Sequence, residues 1–165
     1  MLFIRSFSSK LAQTELLAKW LEEVSVALEN IPYHRLRFVV HEAFVNACKY
    51  SATPESNIVV MIRQLDHLEI TVADPGKGFS LPEDLGSFDK AAIGFRWNLV
   101  QDRETRLIAE VSDANTLHFS LEIEKANQEA DLKENHRGLI SILKAAQDLH
   151  YHFVPNSFNY LHITC

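Results

Sequence analysis

The chain is poor in the residues that mark specialised folds. Only two of its 165 residues are cysteines, Cys48 and Cys165, and they show no metal-binding spacing. A disulfide framework is therefore not expected, and a reducing compartment fits better. Glycine and proline number five each, too few for a low-complexity or collagen-like chain. No apolar run approaches the ~18 residues of a membrane span. The apolar start, Met1-Leu2-Phe3-Ile4, is too short for a secretion signal. Basic residues number 16 against 22 acidic ones, and the net charge of −6 argues against a nucleic-acid-binding surface. What is left is a soluble cytoplasmic protein without a membrane or nucleic-acid partner. Its apolar content of 47% suffices for one filled domain.

Hydrophobic periodicity divides the chain into elements. Leu2 to Phe7 alternates and predicts a first strand. Leu17, Trp20, Leu21, Val24 and Leu28 recur at helical spacing, and Asn30-Ile31-Pro32 ends that helix. A second helix is predicted from about Tyr33 to Tyr50, with Leu36, Val40, Ala43, Phe44 and Ala47 facing the core. Ile58 to Arg63 and Leu68 to Val72 read as strands joined near Asp66-His67. Asp74 to Gly94 is a loop region, Phe95 to Arg103 a short helix, and Leu107–Val111 with Leu117–Ile123 an alternating hairpin. Helices dominate the first half and strands the second. That order predicts an α+β two-layer sandwich, with helices on one face of a mixed β-sheet.

The last forty residues read differently. Residues 124–135 are charged and polar, as in a solvated helix or linker. Gly138–Cys165 overlays Gly94–Leu121 without a gap, matching Asn115-Thr116-Leu117-His118-Phe119 to Asn159-Tyr160-Leu161-His162-Ile163. This is either a partial internal duplication or shared strand composition. Leu139, Ile142, Leu143, Ala146 and Leu149 form an apolar stripe that must be covered. Residues 126–165 are expected to dock as a helix plus strand on the domain of residues 1–125, or on a second subunit.

Two segments carry the chemistry. In His41-Glu42-Ala43-Phe44-Val45-Asn46-Ala47-Cys48-Lys49-Tyr50, a carboxylate and an amide stand four apart, on one helix face and one turn from each other. Thr71-Val72-Ala73-Asp74-Pro75-Gly76-Lys77-Gly78-Phe79 is an apolar strand running into Asp-x-Gly-x-Gly. The Asn46 oxygen is the hard, neutral kind of ligand that Mg²⁺ takes. Glu42 is able to orient or deprotonate a hydroxyl. Gly76 and Gly78 let the backbone turn sharply and approach a ligand. Taken singly, the first motif is far more often an exposed helix pair, and the second more often an ordinary strand-to-turn junction, than a ligand site.

Together and in this order, the two segments resemble the N-box and G1-box of the GHKL ATPases. That superfamily includes histidine-kinase catalytic domains, Hsp90, gyrase B, MutL and the anti-sigma-factor serine kinases. The short chain, the single strand and helix ahead of the N-box, and the wording Glu42-Ala43-Phe44-Val45-Asn46-Ala47 are similar to the last group. The resemblance implies a Bergerat-type ATP-binding fold with ATP and Mg²⁺ as cofactors. It implies Glu42 as the catalytic residue and Asp74 as acceptor for the adenine amine. Nucleotide contacts would come from Asn46 (on Mg²⁺), Lys49, Asp74, Gly76, Gly78, Phe79 and Gly94. The implied activity is phosphorylation of a serine on a small antagonist protein, or sequestration of a sigma factor, with a homodimer as one assembly. The alternative is a catalytically degenerate protein-binding module.

The family's G2-box, Gly-x-Gly-Leu, holds phosphate at a helix N-terminus. Two segments compete for it. Ala92-Ile93-Gly94-Phe95 follows at the usual short distance and is preferred. His136-Arg137-Gly138-Leu139 is closer in wording but demands an unusually long intervening lid. Elsewhere, His41-Glu42 with Asn46 superficially resembles a histidine-kinase phospho-acceptor box, but no dimerisation helix pair precedes it. His150, His152 and His162 would share one face if the tail strands pair. With no acid or thiol nearby, they read as polar strand histidines rather than a zinc site.

Overall fold

The computed structural model describes residues 1–28, 31–51, 55–76, 78, 82, 92–102, 105–123, 137–154 and 157–165. Strand β1 (Leu2–Ser8) leads through a 3-10 turn (Leu11–Gln13) into helices α1 (Thr14–Ala27) and α2 (Tyr33–Tyr50). Strands β2 (Asn57–Gln64), β3 (Leu68–Asp74), β4 (Arg96–Asp102), β5 (Thr105–Asp113) and β6 (Thr116–Ile123) follow. Helix α3 (Arg137–Ala145) and strands β7 (Asp148–His152) and β8 (Asn159–Thr164) complete the chain.

The eight strands form one sheet in the order β1-β2-β3-β8-β7-β6-β5-β4. Every described pairing is antiparallel, where the sequence suggests a mixed sheet. The α+β architecture stands. Its core is one cluster in which the helices cover the inward faces of the strands. Leu17, Trp20, Leu21 and Val24 of α1 are buried, as are Leu36, Val40, Ala43, Phe44 and Ala47 of α2. The Phe7 ring meets Trp20 and Phe44 edge-on, at centroid distances of 5.8 and 5.6 Å, and so ties β1 to both helices.

The tail lies inside the sheet. Strand β8 pairs with β3 from Glu69↔Thr164 to Asp74↔Asn159 on one side and with β7 on the other. Strands from before and after residue 125 therefore interleave, and the sheet has no seam at that position. Leu139, Ile140, Ile142, Leu149, Leu161 and Ile163 are buried in the common core. The helical stripe stops earlier than its spacing suggests: α3 ends at Ala145, and Leu149 belongs to a strand.

The short helix expected at Phe95–Arg103 is instead β4, paired with β5 across a bulge between Asn98 and Val100. Its aromatic and β-branched residues suit a pleated surface, and the β5 edge supplies the partner. The similarity of the two C-terminal segments is thereby confined to their final strands. Leu117 and Leu161 both point into the core, while His118 and His162 lie on the opposite face. Upstream, β4 is a strand where α3 is a helix.

Candidate functional site

The carboxyl end of α2 organises the site. Glu42, Asn46 and Tyr50 recur every four residues, so they line one helix face with a rise of about 6 Å between neighbours. Two glycine turns pack against this face. At the upper turn, a Cβ placed on Gly138 would lie 2.8 Å from Asn46 Nδ2, 3.1 Å from Asn46 Oδ1 and 3.2 Å from Glu42 Oε2. With no side chain at that position, the first turn of α3 sits close against both side chains, and a Cβ there would push the Asn46 amide aside. At the lower turn, a Cβ on Gly76 would lie 2.5 Å from the Tyr50 carbonyl oxygen and against Asp74 Oδ1.

Asp74 ends β3 directly opposite Asn159, the first residue of β8. Its Oδ1 accepts a hydrogen bond from the Gly76 N–H at 2.7 Å, and Asn159 Nδ2 donates to the Gly76 carbonyl at 2.8 Å. Burial holds the Asp74 carboxyl above its usual range; the hydrogen bonds from Gly76 and Asn159 oppose that shift. The Cys48 thiol, on α2 between Asn46 and Tyr50, is pushed up to about 11 by burial and by the Asp74 carboxylate. It is an inert, protonated side chain at neutral pH. Gly78 has φ +86°, a left-handed conformation, and a Cβ there would strike the Phe153 ring.

Among the described residues, Asn46 Nδ2, Ser51 Oγ and Asn159 Oδ1 are buried without a hydrogen-bond partner. Leaving such a group unsatisfied costs about 1–3 kcal/mol. All three border the two glycine turns, so the cluster is short of polar partners. A ligand that brings acceptor oxygens for the Asn46 amide N–H, and donors or a cation for the Ser51 and Asn159 oxygens, meets that need. The donor set fits a nucleotide with Mg²⁺: an amide for the cation, a buried carboxylate for an exocyclic amine, and side-chain-free turns for close approach.

The family model for histidine kinase-, DNA gyrase B-, and HSP90-like ATPases matches residues 32–122. The chain belongs to this ATPase family. No curated protein matches it. In this GHKL chain the matched region spans α2 with Glu42 and Asn46 and the β3 end with Asp74, but it stops before Gly138.

The site residues read from sequence separate into three groups. Glu42, Asn46, Asp74, Gly76 and Gly78 lie along α2 and at the adjoining β3 end. Lys49 is exposed in the last turn of α2. Phe79 lies outside the described residues. Gly94 is placed elsewhere: it stands in a turn before β4, with φ +86° and nothing within 4 Å of its would-be Cβ. The glycine brought to Glu42 and Asn46 is Gly138. The long path from β3 to α3 is no obstacle, because three strands of the same sheet, β4, β5 and β6, lie along it.

Sequence reasoning also missed Asn159, Ser51 and Phe153. Asn159 had a legible signal. It shares the phase of Leu161 and Ile163, which makes it an asparagine on the buried face of a strand. Such a residue needs polar partners, and it finds Gly76 and Asp74.

Proposed function

We propose that the chain binds Mg²⁺-ATP along the Glu42–Asn46–Tyr50 face of α2 and acts as a regulatory serine/threonine kinase of the anti-sigma-factor type. One observation carries the nucleotide reading: Gly138 rests against Asn46 and Glu42, while Asn46 Nδ2 is buried and unpaired. When bound, ATP supplies the phosphoryl group and Mg²⁺ neutralises its charge. Asp74 accepts a hydrogen bond from the adenine amine, and Gly76 and Gly78 leave room for the base edge. Asn46 gives its side-chain oxygen to the cation. The first-turn N–H groups of α3, which the helix itself leaves unpaired, hold phosphate oxygens. Glu42 orients the acceptor hydroxyl and takes its proton. The acceptor is a serine on a small antagonist protein, and a sigma factor is the regulated partner.

A second reading is a protein-docking module of the same fold that has lost transfer activity. It is favoured by His136, which stands where the family's G2-box has its first glycine. Calorimetric titration of Mg²⁺-ATP into the full chain tests the shared nucleotide step. Saturable binding is expected, weakened by about 1–3 kcal/mol in Asp74→Ala. An absence of heat at millimolar ATP overturns it. Labelled phosphate appearing on the serine of a purified antagonist selects the kinase, and binding without transfer selects the module.

A further inference from the structure

The face of the sheet turned away from the helices carries a row of histidines. His118 of β6, His150 of β7 and His162 of β8 are direct cross-strand neighbours, paired His118↔His150 and His150↔His162. Asp148 lies on the same face of β7, two residues before His150. Contrary to the sequence reading, an acid is therefore present. Its Oδ1 is 2.9 Å from His118 Nε2 and its Oδ2 is 2.8 Å from His150 Nε2. The His118 and His150 rings are 4.9 Å apart at their centroids. The next histidines are occupied otherwise: His152 Nδ1 contacts Thr116 Oγ1 at 3.0 Å, and His162 Nδ1 contacts Thr71 Oγ1 at 3.1 Å.

We propose that His118, Asp148 and His150 form a binding site for a divalent transition-metal ion of the zinc class. One ligand atom from each residue lies within 4.8 Å of the others. Two imidazoles and a carboxylate are a ligand set suited to Zn²⁺, with a fourth position left for water. Tetrahedral coordination at ~2.0–2.1 Å sets ligand atoms roughly 3.3 Å apart. The two 2.8–2.9 Å contacts, one to each Asp148 oxygen, open by a few tenths of an ångström, and the other ligand atoms, all within 4.8 Å of one another, draw together around the ion. The three side chains are half-exposed, so an ion reaches them from solvent. Each Nε2 binds the ion as a neutral imidazole, with its proton on Nδ1 or released.

The position of the site suggests its use. The β6–β7 pairing has three residue pairs, Thr116↔His152, Leu117↔Tyr151 and His118↔His150, whereas β7–β8 has five and β5–β6 has eight. The ligands straddle this short seam. A bound ion would fasten the β4–β6 unit to the C-terminal strands. The site also lies on the sheet face opposite α2, apart from the proposed nucleotide site.

The test uses the untagged full chain, stripped with a chelator and titrated with Zn²⁺ in the absence of nucleotide. One equivalent is expected to bind and to raise the melting temperature, while Mg²⁺ does neither. His118→Ala, Asp148→Ala and His150→Ala should each weaken binding at least ~100-fold, the upper end of what losing a supporting partner costs. His34→Ala, on the exposed side of α2, should bind as the parent does. Should a variant misfold, ring resonances of the parent chain decide: those of His118 and His150 must shift with Zn²⁺ while that of His34 stays. Lack of saturation at one equivalent, equal binding by the three variants, or shifts confined to other histidines overturns the site. The pair would then be a hydrogen-bonded clamp only.

Discussion

Alanine at Gly138 and alanine at Gly94 should have opposite effects. A Cβ at residue 138 falls 2.8 Å from Asn46 Nδ2, where ordinary contact begins at 3.4 Å, so the Asn46 amide must move by about 0.6 Å. That amide is the end of a side chain and has no hydrogen bond to lose at Nδ2, so the move is cheap. Alanine also favours helix over glycine by up to ~1 kcal/mol. The fold should hold or gain slightly in urea. Displacing Asn46 removes its cation contact, and a charge-assisted contact is worth about 1–3 kcal/mol, roughly 5- to 150-fold in ATP affinity. Gly94→Ala meets open space, but φ +86° makes any L-residue there cost about 1–2 kcal/mol. It should lower stability and leave ATP binding alone. Calorimetry and urea unfolding on both variants give the four numbers. If Gly138→Ala binds Mg²⁺-ATP like the parent, or if Gly94→Ala is the variant that loses binding, the assignment of the phosphate turn to α3 is wrong.

Three further outcomes follow from the same geometry. Asp74→Asn should stabilise the chain at pH 7. The native Asp74 pKa is raised by burial, so its stabilising contribution is complete below about 3.8 and is lost as pH rises through the native value. The advantage of the variant should therefore vanish in unfolding experiments as pH falls through that window, and a less stable variant at pH 7 contradicts the burial argument. Glu42→Gln should cut transfer to a protein serine by ~10²–10⁴-fold with little change in ATP affinity, measured by single-turnover labelling. Ending the chain at Glu124 removes six large apolar side chains from the core, each worth about 1.5–3 kcal/mol. That exceeds much of a domain's net stability of ~5–15 kcal/mol, so the fragment should show no cooperative melt; one that melts like the full chain would mean the tail is dispensable.

The sequence by itself determined the local elements and the lower half of the site. Periodicity is a local property, so α1, α2, β2, β3 and the β5–β6 hairpin were legible from spacing alone. Glu42 and Asn46 share a face because four residues make about one turn, and Asp74 meets Gly76 because an aspartate side chain reaches a backbone N–H two residues on. Strand β4 was misread because a seven-residue run holds both periods, and only the β5 edge decides between them. The tertiary structure alone decided which glycine faces Asn46. Gly94 and Gly138 carry similar local wording, but the insertion of β8 beside β3 brings α3, not the turn before β4, onto α2. The pairing of β6 with β7 likewise brings His118 to Asp148 and His150, thirty residues further along the chain. Strand register between distant segments is set by which apolar faces can be buried together, and that balance has no signature within any one segment.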